Sequence, residues 1–156
     1  MAALVYSILM RNFFRNLFVF LSIAFALNFV WEATQGFFLY QFLNILTPAQ
    51  YVQLILNAAL KDMFGLGILF VGIGLYFRDL LWTTKLSPIK YRAILVTTLV
   101  LSLLLEVQGV FVFHKWSYTA LMPTLAGIGL VPVIQLPLIM LFTVLCVANL
   151  KTGDSR

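Results

Sequence analysis

The sequence predicts an all-α polytopic membrane protein with four transmembrane helices in a single domain, residues 1–156. Hydrophobic residues make up 63% of the chain and charged residues 10%, whereas soluble domains are about 45–50% apolar and ~25% charged. A helix needs ~20 mainly apolar residues to cross ~30 Å of hydrocarbon. Four segments approach that length, and they leave little of the chain for a soluble domain: 17–39, 54–77, 93–113 and 121–148.

The connections between these spans carry their own signals. Thr47-Pro48 is predicted to begin a short interfacial helix, because proline favours the first helical position. The basic connection 78–92 is expected to lie against anionic headgroups. Prolines and glycines in segment 122–132 predict a broken or re-entrant start to the fourth span, because irregular backbone at membrane depth must be covered by protein or line a wet cavity.

The basic residues predict the orientation. Eight of the ten flank the spans on one side: Arg11, Arg15, Arg78, Lys85, Lys90, Arg92, Lys151 and Arg156. By the positive-inside rule that side is cytoplasmic, so we expect both termini in the cytoplasm, with a bacterial inner membrane as the location. This placement follows topology and not one basic face, so no nucleic-acid partner is expected despite the net charge of +5.

Two parts of the chain resemble each other. Glu32–Phe38 matches Glu106–Phe111 after one gap, largely at an offset of 73 positions, and the same offset carries Asp62 onto Gln135. The chain is therefore predicted to consist of two tandem helix pairs related by an axis along the membrane normal. Chance similarity is the alternative, because glycine and phenylalanine are common in membrane helices.

Three acidic residues lie inside the apolar spans, namely Glu32, Asp62 and Glu106. A charged side chain at the bilayer centre costs ~2.5–3.5 kcal/mol on insertion scales. At ~1.5 Å per residue from the cytoplasmic boundary, all three lie ~20–22 Å deep. If Glu32 and Glu106 are adjacent at this depth, they disfavour double ionisation, and burial raises carboxyl pKa values in any case. At least one is then expected to hold a proton suited to general-acid chemistry. The three are the candidate catalytic residues.

Polar and aromatic residues accompany these acids at helical spacing or in the connection before the fourth span. The alternatives are an aromatic belt at the headgroups for the tryptophans and Tyr118, and interhelical hydrogen bonding for the amides. The lone His114 predicts no metal site, no cofactor is expected, and the lone Cys146 excludes an intramolecular disulfide. The candidate substrate-binding residues are Asn28, Trp31, Gln35, Trp116, Tyr118 and Gln135.

The segment Asn28-Phe29-Val30-Trp31-Glu32 resembles the Asn-x-x-Trp-Glu element of the membrane-integral terpene cyclases of fungal meroterpenoid and indole-diterpene pathways. In that family an intramembrane acidic residue protonates an epoxide or alkene, and a second acid assists. The resemblance implies Glu32 as the proton donor and Glu106 as the second acid. It covers five residues, and the family has more spans than the four counted here.

The leading hypothesis is a membrane enzyme that isomerises or cyclises a lipid or isoprenoid by carboxylic-acid protonation in an outer-leaflet cavity. A small transporter that binds a cation, a proton or an amphipathic ligand with the same acids is the second. The third is a structural subunit whose acids pair with a partner's basic residues. The sequence leaves the oligomeric state open.

Overall fold

Four long helices dominate the computed structural model, which describes residues 2–41 and 46–150. They are α1 (Ala2–Leu39), α2 (Pro48–Tyr76), α3 (Pro88–Val107) and α4 (Leu130–Leu150). The chain is 80% helical, and each of the four is long and apolar enough to cross a membrane. The prediction of an all-α, multi-pass membrane protein is confirmed.

Helix α1 is much longer than the predicted span 17–39. Its 38 residues correspond to ~57 Å, nearly twice the hydrocarbon thickness. The added N-terminal part packs on the bundle, because Phe13 and Asn16 are buried, while Arg11 and Arg15 are exposed on the helix itself. The first helix therefore begins well before the apolar run that predicts it.

The starts of α2 and α3 follow local capping chemistry. Thr47 caps α2 in a capping box with Gln50, and Pro48 occupies its first turn. Thr47-Pro48 thus begins the second long helix itself, and not the separate interfacial helix that the sequence predicted. Pro88 similarly lies in the first turn of α3, directly after Ser87. Residues 42–45 of the preceding connection lie outside the described residues.

A short β-hairpin precedes α4. Strands β1 (Thr124–Leu125) and β2 (Ile128–Gly129) pair in antiparallel fashion, and Ala126 and Gly127 in the turn both have positive φ, 52° and 80°. Two positive φ angles are the signature of a type I′ turn, whose twist matches that of the strands. The fourth helix therefore starts at Leu130 and not at the predicted residue 121, and it continues through Pro137 to Leu150.

The connection between α2 and α3 is folded under the bundle. Trp82 is fully buried, and its indole N–H donates to the Phe70 carbonyl at 3.1 Å. The Lys90 ammonium is 3.1 Å from Asp79 Oδ2 and also donates to two main-chain carbonyls. Lys90 is therefore not available to anionic headgroups as the sequence suggested, whereas Arg78 is exposed there.

The four helices contact one another unequally. Contacts are most extensive within the consecutive pairs α1–α2 and α3–α4, intermediate between α1 and α4, and sparse between α2 and α3. At the end of the bundle that carries the β-hairpin, the connection after α3 is tied to α1. The Thr119 amide donates to the Leu39 carbonyl at 2.9 Å, and Tyr40 forms an isolated bridge with Tyr118. Because contacts between α2 and α3 are sparse, a lateral gap lies between these two helices.

Candidate functional site

A network of amide and carboxyl groups joins α1, α2 and α4 inside the bundle. Gln35 Nε2 donates to Glu32 Oε1 at 2.8 Å and to Gln135 Oε1 at 2.9 Å. Gln135 Nε2 in turn lies 2.7 Å from Glu32 Oε1, 3.0 Å from Asp62 Oδ2 and 3.1 Å from Asn28 Oδ1. The structure thus brings Glu32 and Asp62 together on one amide group.

The number of hydrogens in this network limits its protonation. The Gln135 amide carries two hydrogens, yet three acceptors surround it, from Asn28, Glu32 and Asp62. The carboxyl groups of Glu32 and Asp62 lie close together, because both are within hydrogen-bonding distance of the same Gln135 nitrogen. A single proton shared between these two carboxyl groups supplies the donor that Gln135 cannot.

Helical spacing on α1 explains how the network forms. Asn28, Glu32 and Gln35 follow one another at intervals of four and three residues, which places them on one face. Asn28 is fully buried and donates to the Ala24 carbonyl at 2.9 Å. The Trp31 indole N–H donates to Gln35 Oε1 at 3.1 Å. Trp31 therefore orients the amide that holds Glu32.

Glu106 belongs to a second polar group at the hairpin end of the bundle. It is 4% exposed, and it accepts a hydrogen bond from the Tyr118 hydroxyl, which itself accepts from the Gly129 amide at 3.1 Å. Burial, followed by the hydrogen bond to Glu106, raises the pKa of Tyr118 to about 12. The phenol therefore keeps its proton at neutral pH and acts as the donor, with Glu106 as the acceptor.

Trp116 is packed against the end of α3. Residues Gln108–Val112 continue α3 as a π-helical turn, a feature frequent at functional sites, and His114 after it has a φ of 48°. A Cβ atom at Gly109 would overlap the Trp116 indole, so only glycine permits this approach. The indole N–H of Trp116 is buried next to the Glu106 carboxylate and the Tyr118 hydroxyl.

The two polar groups line one cavity of about 610 Å³, a size typical of small-molecule sites. Its exposed members lie on α2, on α3 with its π-helical continuation, and on the connection that follows, so its mouth is the lateral gap between α2 and α3 together with this connection. Among them Leu54 and Leu105 are 39% and 40% exposed, and both lie in candidate membrane spans. The polar and aromatic lining residues are Glu32, Gln35, Tyr40, Asn57, Lys61, Asp62, Ser102, Glu106, Gln108, Phe113, Lys115, Trp116 and Gln135.

Three of the predicted substrate-binding residues do not line this cavity. Asn28 lies behind Gln135, and Tyr118 lies behind Glu106. Trp31 instead lines a separate apolar groove between α1 and α4. These side chains position others, because the connection 113–129 and the packing of α1 on α4 keep them away from the cavity. Gln35, Trp116 and Gln135 do line it, as do all three predicted catalytic acids.

Tyr40 is a lining residue that the sequence reasoning missed. It is 8% exposed, and its ring lies 5.6 Å from Tyr118 and 6.3 Å from Trp116, centroid to centroid. Burial, and the charge of Glu106 after it, raise the pKa of Tyr40. The spacing Glu32, Gly36, Tyr40 continues one face of α1 and could have identified it.

Within residues 2–41 and 46–150, no group of three or more His, Cys, Asp or Glu side chains could hold a metal ion. No family model matches the chain, and no curated protein or solved structure matches it either. The function therefore has to be argued from the cavity itself.

Proposed function

We propose that this protein is a membrane-embedded enzyme that isomerises or cyclises a lipid or isoprenoid after protonating it. The observation that carries the proposal is the Glu32–Asp62 pair, held on the Gln135 amide inside a cavity. The cavity opens between two apolar helices, past Leu54 and Leu105. An apolar substrate can thus enter laterally from the bilayer without crossing water.

The pair supplies the proton at the start of the reaction. The carboxyl O–H bond breaks as a new C–H bond forms at one end of an alkene, and a carbocation develops at the other end. An epoxide reacts similarly, with its oxygen taking the proton as the C–O bond opens. The carboxylate left behind on Glu32 or Asp62 is stabilised by the amides of Gln35 and Gln135.

The opposite side of the cavity suits the end of the reaction. After the cation has been attacked by a second alkene, or has simply shifted, an adjacent C–H bond breaks and its proton passes to Glu106. The Tyr118 hydroxyl already donates to that carboxylate. The rings of Tyr40, Phe113 and Trp116 line the cavity and stabilise positive charge through cation–π contacts. One proton enters and one leaves, so the reaction is redox-neutral.

The resemblance of Asn28–Glu32 to the terpene cyclase element supports the same assignment. Glu32, the acid of that element, lines the cavity. Trp31 lies outside the cavity and donates a hydrogen bond to Gln35. In this proposal the functional group of the element is the Glu32 carboxyl group, whose position Trp31 sets through Gln35.

We also propose that both termini are cytoplasmic, in a bacterial inner membrane, and that the cavity opens in the outer leaflet. Exposed Arg11 and Arg15 on α1, together with exposed Arg78, Lys85 and Arg92, support this orientation. Lys151 and Arg156, which count toward the same side, lie outside the described residues. When a reporter is fused after residue 156, one that functions only in the cytoplasm should be active and one that functions only in the periplasm should be inactive. Activity of the periplasmic reporter would overturn the orientation.

The decisive experiment follows the transferred proton. The purified protein in nanodiscs is incubated in D₂O with extracts of bacterial isoprenoids, and the products are analysed by mass spectrometry. For an alkene substrate we expect products one deuterium heavier than those formed in H₂O, because the initiating deuteron comes from a carboxyl group in exchange with solvent and ends in a stable C–D bond. A deuteron on an epoxide oxygen exchanges back, so an epoxide substrate is followed by its ring-opened products instead. Glu32→Gln should abolish deuterium incorporation, and Glu106→Gln should reduce it or change the product distribution.

Asp79→Asn is the matched control, since Asp79 lies outside the cavity and is half-exposed beside Lys90. It should leave the products unchanged. Identical product profiles for wild type, Glu32→Gln and Glu106→Gln would overturn the proposal. Uptake of a ligand into vesicles without chemical change would do so as well, in favour of a transporter.

A further inference from the structure

Two ammonium groups lie at the cavity without a carboxylate partner among the described residues. Lys61 on α2 and Lys115 after α3 both line it, and neither makes an ion pair among the described residues. The Lys115 ammonium lies 4.8 Å from the centroid of the Phe113 ring, which holds it near the mouth.

The cavity acids do not account for these donors. Glu32 and Asp62 are bonded to Gln135, and Glu106 accepts from Tyr118. Lys61 and Lys115 are exposed at the rim, whereas Gln135 and Glu106 are buried at 2% and 4% exposure. The cationic groups therefore lie at the mouth and the carboxyl groups lie deeper.

The walls between these two zones are apolar. They are formed mainly by aliphatic side chains from α2, α3 and α4, namely Leu54, Ile55, Leu101, Leu105, Pro132 and Leu136. A ligand that matches this order of surfaces has an anionic head, an apolar chain and a reactive alkene within the chain. Such a ligand supplies the anionic partner that Lys61 and Lys115 lack among the described residues.

We propose that the cavity binds an anionic amphiphile, a phosphate or carboxylate head on an isoprenoid or acyl chain, with the head at Lys61 and Lys115. This inference rests on the proposed function, because it names the substrate class of the same cavity. The head anchors the ligand at the mouth, and the chain reaches the Glu32–Asp62 pair. The head is a positioning group and takes no part in proton transfer.

Equilibrium binding without turnover tests this. Radiolabelled farnesyl phosphate and farnesol are bound to the purified protein in nanodiscs of zwitterionic lipid, with inorganic phosphate as a competitor. We expect farnesyl phosphate to bind at least tenfold more tightly than farnesol. Lys61→Gln and Lys115→Gln should each weaken farnesyl phosphate binding roughly five- to tenfold, as for a lost charge-assisted hydrogen bond, and leave farnesol binding unchanged.

Lys85→Gln is the matched control, because Lys85 is exposed on the connection at the other end of the bundle. Equal affinity for the phosphate and the alcohol would overturn the inference. So would a preference for the phosphate that both cavity lysine variants retain, or full competition by inorganic phosphate at equal concentration. Binding that follows the prediction without deuterium incorporation would refute the proposed chemistry and leave the head-group inference standing.

Discussion

Replacing Gln135 by leucine tests whether the buried network is the structural centre of the protein. Gln135, on α4, is 2% exposed and forms hydrogen bonds to residues of α1 and α2. Leucine has a similar volume, so the substitution leaves little cavity and removes mainly hydrogen bonds. Gln35 then loses an acceptor, and Asn28, Glu32 and Asp62 each lose a donor, although Glu32 keeps the amide of Gln35.

The magnitude follows from these lost contacts. An interhelical hydrogen bond in a membrane protein contributes ~0.6–2 kcal/mol, and a bond to a charged group about 1.5–3 kcal/mol. Four contacts are broken, but the two amide hydrogens and the one accepting oxygen of Gln135 form at most three of these hydrogen bonds at a time. With one of the three made to the Glu32–Asp62 pair, they predict a loss of about 3–7 kcal/mol in the free energy of unfolding. This loss of stability is several times larger than that of an ordinary surface substitution, which changes the free energy of unfolding by no more than about 0.5 kcal/mol.

Unfolding by sodium dodecyl sulfate in mixed micelles, followed by circular dichroism, measures this loss. Gln53→Leu is the matched control, because Gln53 is exposed on α2 and its side chain makes no hydrogen bond to another described residue. It should stay within about 0.5 kcal/mol of wild type. A Gln135→Leu protein as stable as the Gln53→Leu protein would refute the reasoning, since the network would then contribute nothing to folding.

Three further outcomes follow. Gly109→Ala should displace the Trp116 indole and lower the free energy of unfolding by about 1–3 kcal/mol. Gly72→Ala is the control: it has open space around its Cβ and should be neutral or stabilise the protein by about 0.5–1 kcal/mol. Equal stability of the two variants would contradict this. Lys90→Met should lower thermal stability by removing an ammonium with three acceptors, at a cost of about 1–3 kcal/mol, and an unchanged melting temperature would contradict it. In an absorbance titration, one tyrosine should ionise near pH 12, and this ionisation step should be absent from Tyr118→Phe. Because its pKa is raised from 10.0, its contribution to stability is complete below pH 10 and is lost as the pH rises through about 12; the absence of such a late step would count against the buried hydrogen bond.

Hydropathy predicted the four helices, because a segment that crosses hydrocarbon must be apolar along its whole length and must satisfy its backbone internally. The boundaries were less predictable. Residue 121 could not be recognised as lying outside the fourth helix, because the hairpin that precedes Leu130 depends on positive φ at Ala126 and Gly127. The N-terminal extension of α1 likewise depends on burial of Phe13 against other helices.

Intramembrane acids are costly, so the sequence could single out Glu32, Asp62 and Glu106, and all three line the cavity. Depth counting could place Glu32 and Asp62 at one level. It could not show that Asp62 and Gln135, separated by 73 positions, form a hydrogen bond. Whether that pair reflects a duplicated helix pair stays a prediction.

The sequence by itself thus determined the fold class and the polar residues that membrane burial makes conspicuous, since both follow from the energy of each residue in hydrocarbon. Only the tertiary structure decided which of them share a cavity. Trp31 and Tyr40 show why: both lie near the end of α1 with the acids, yet Trp31 lines the groove toward α4 and Tyr40 lines the cavity. That difference arises from how the helices pack around α1, and no count along one helix contains it.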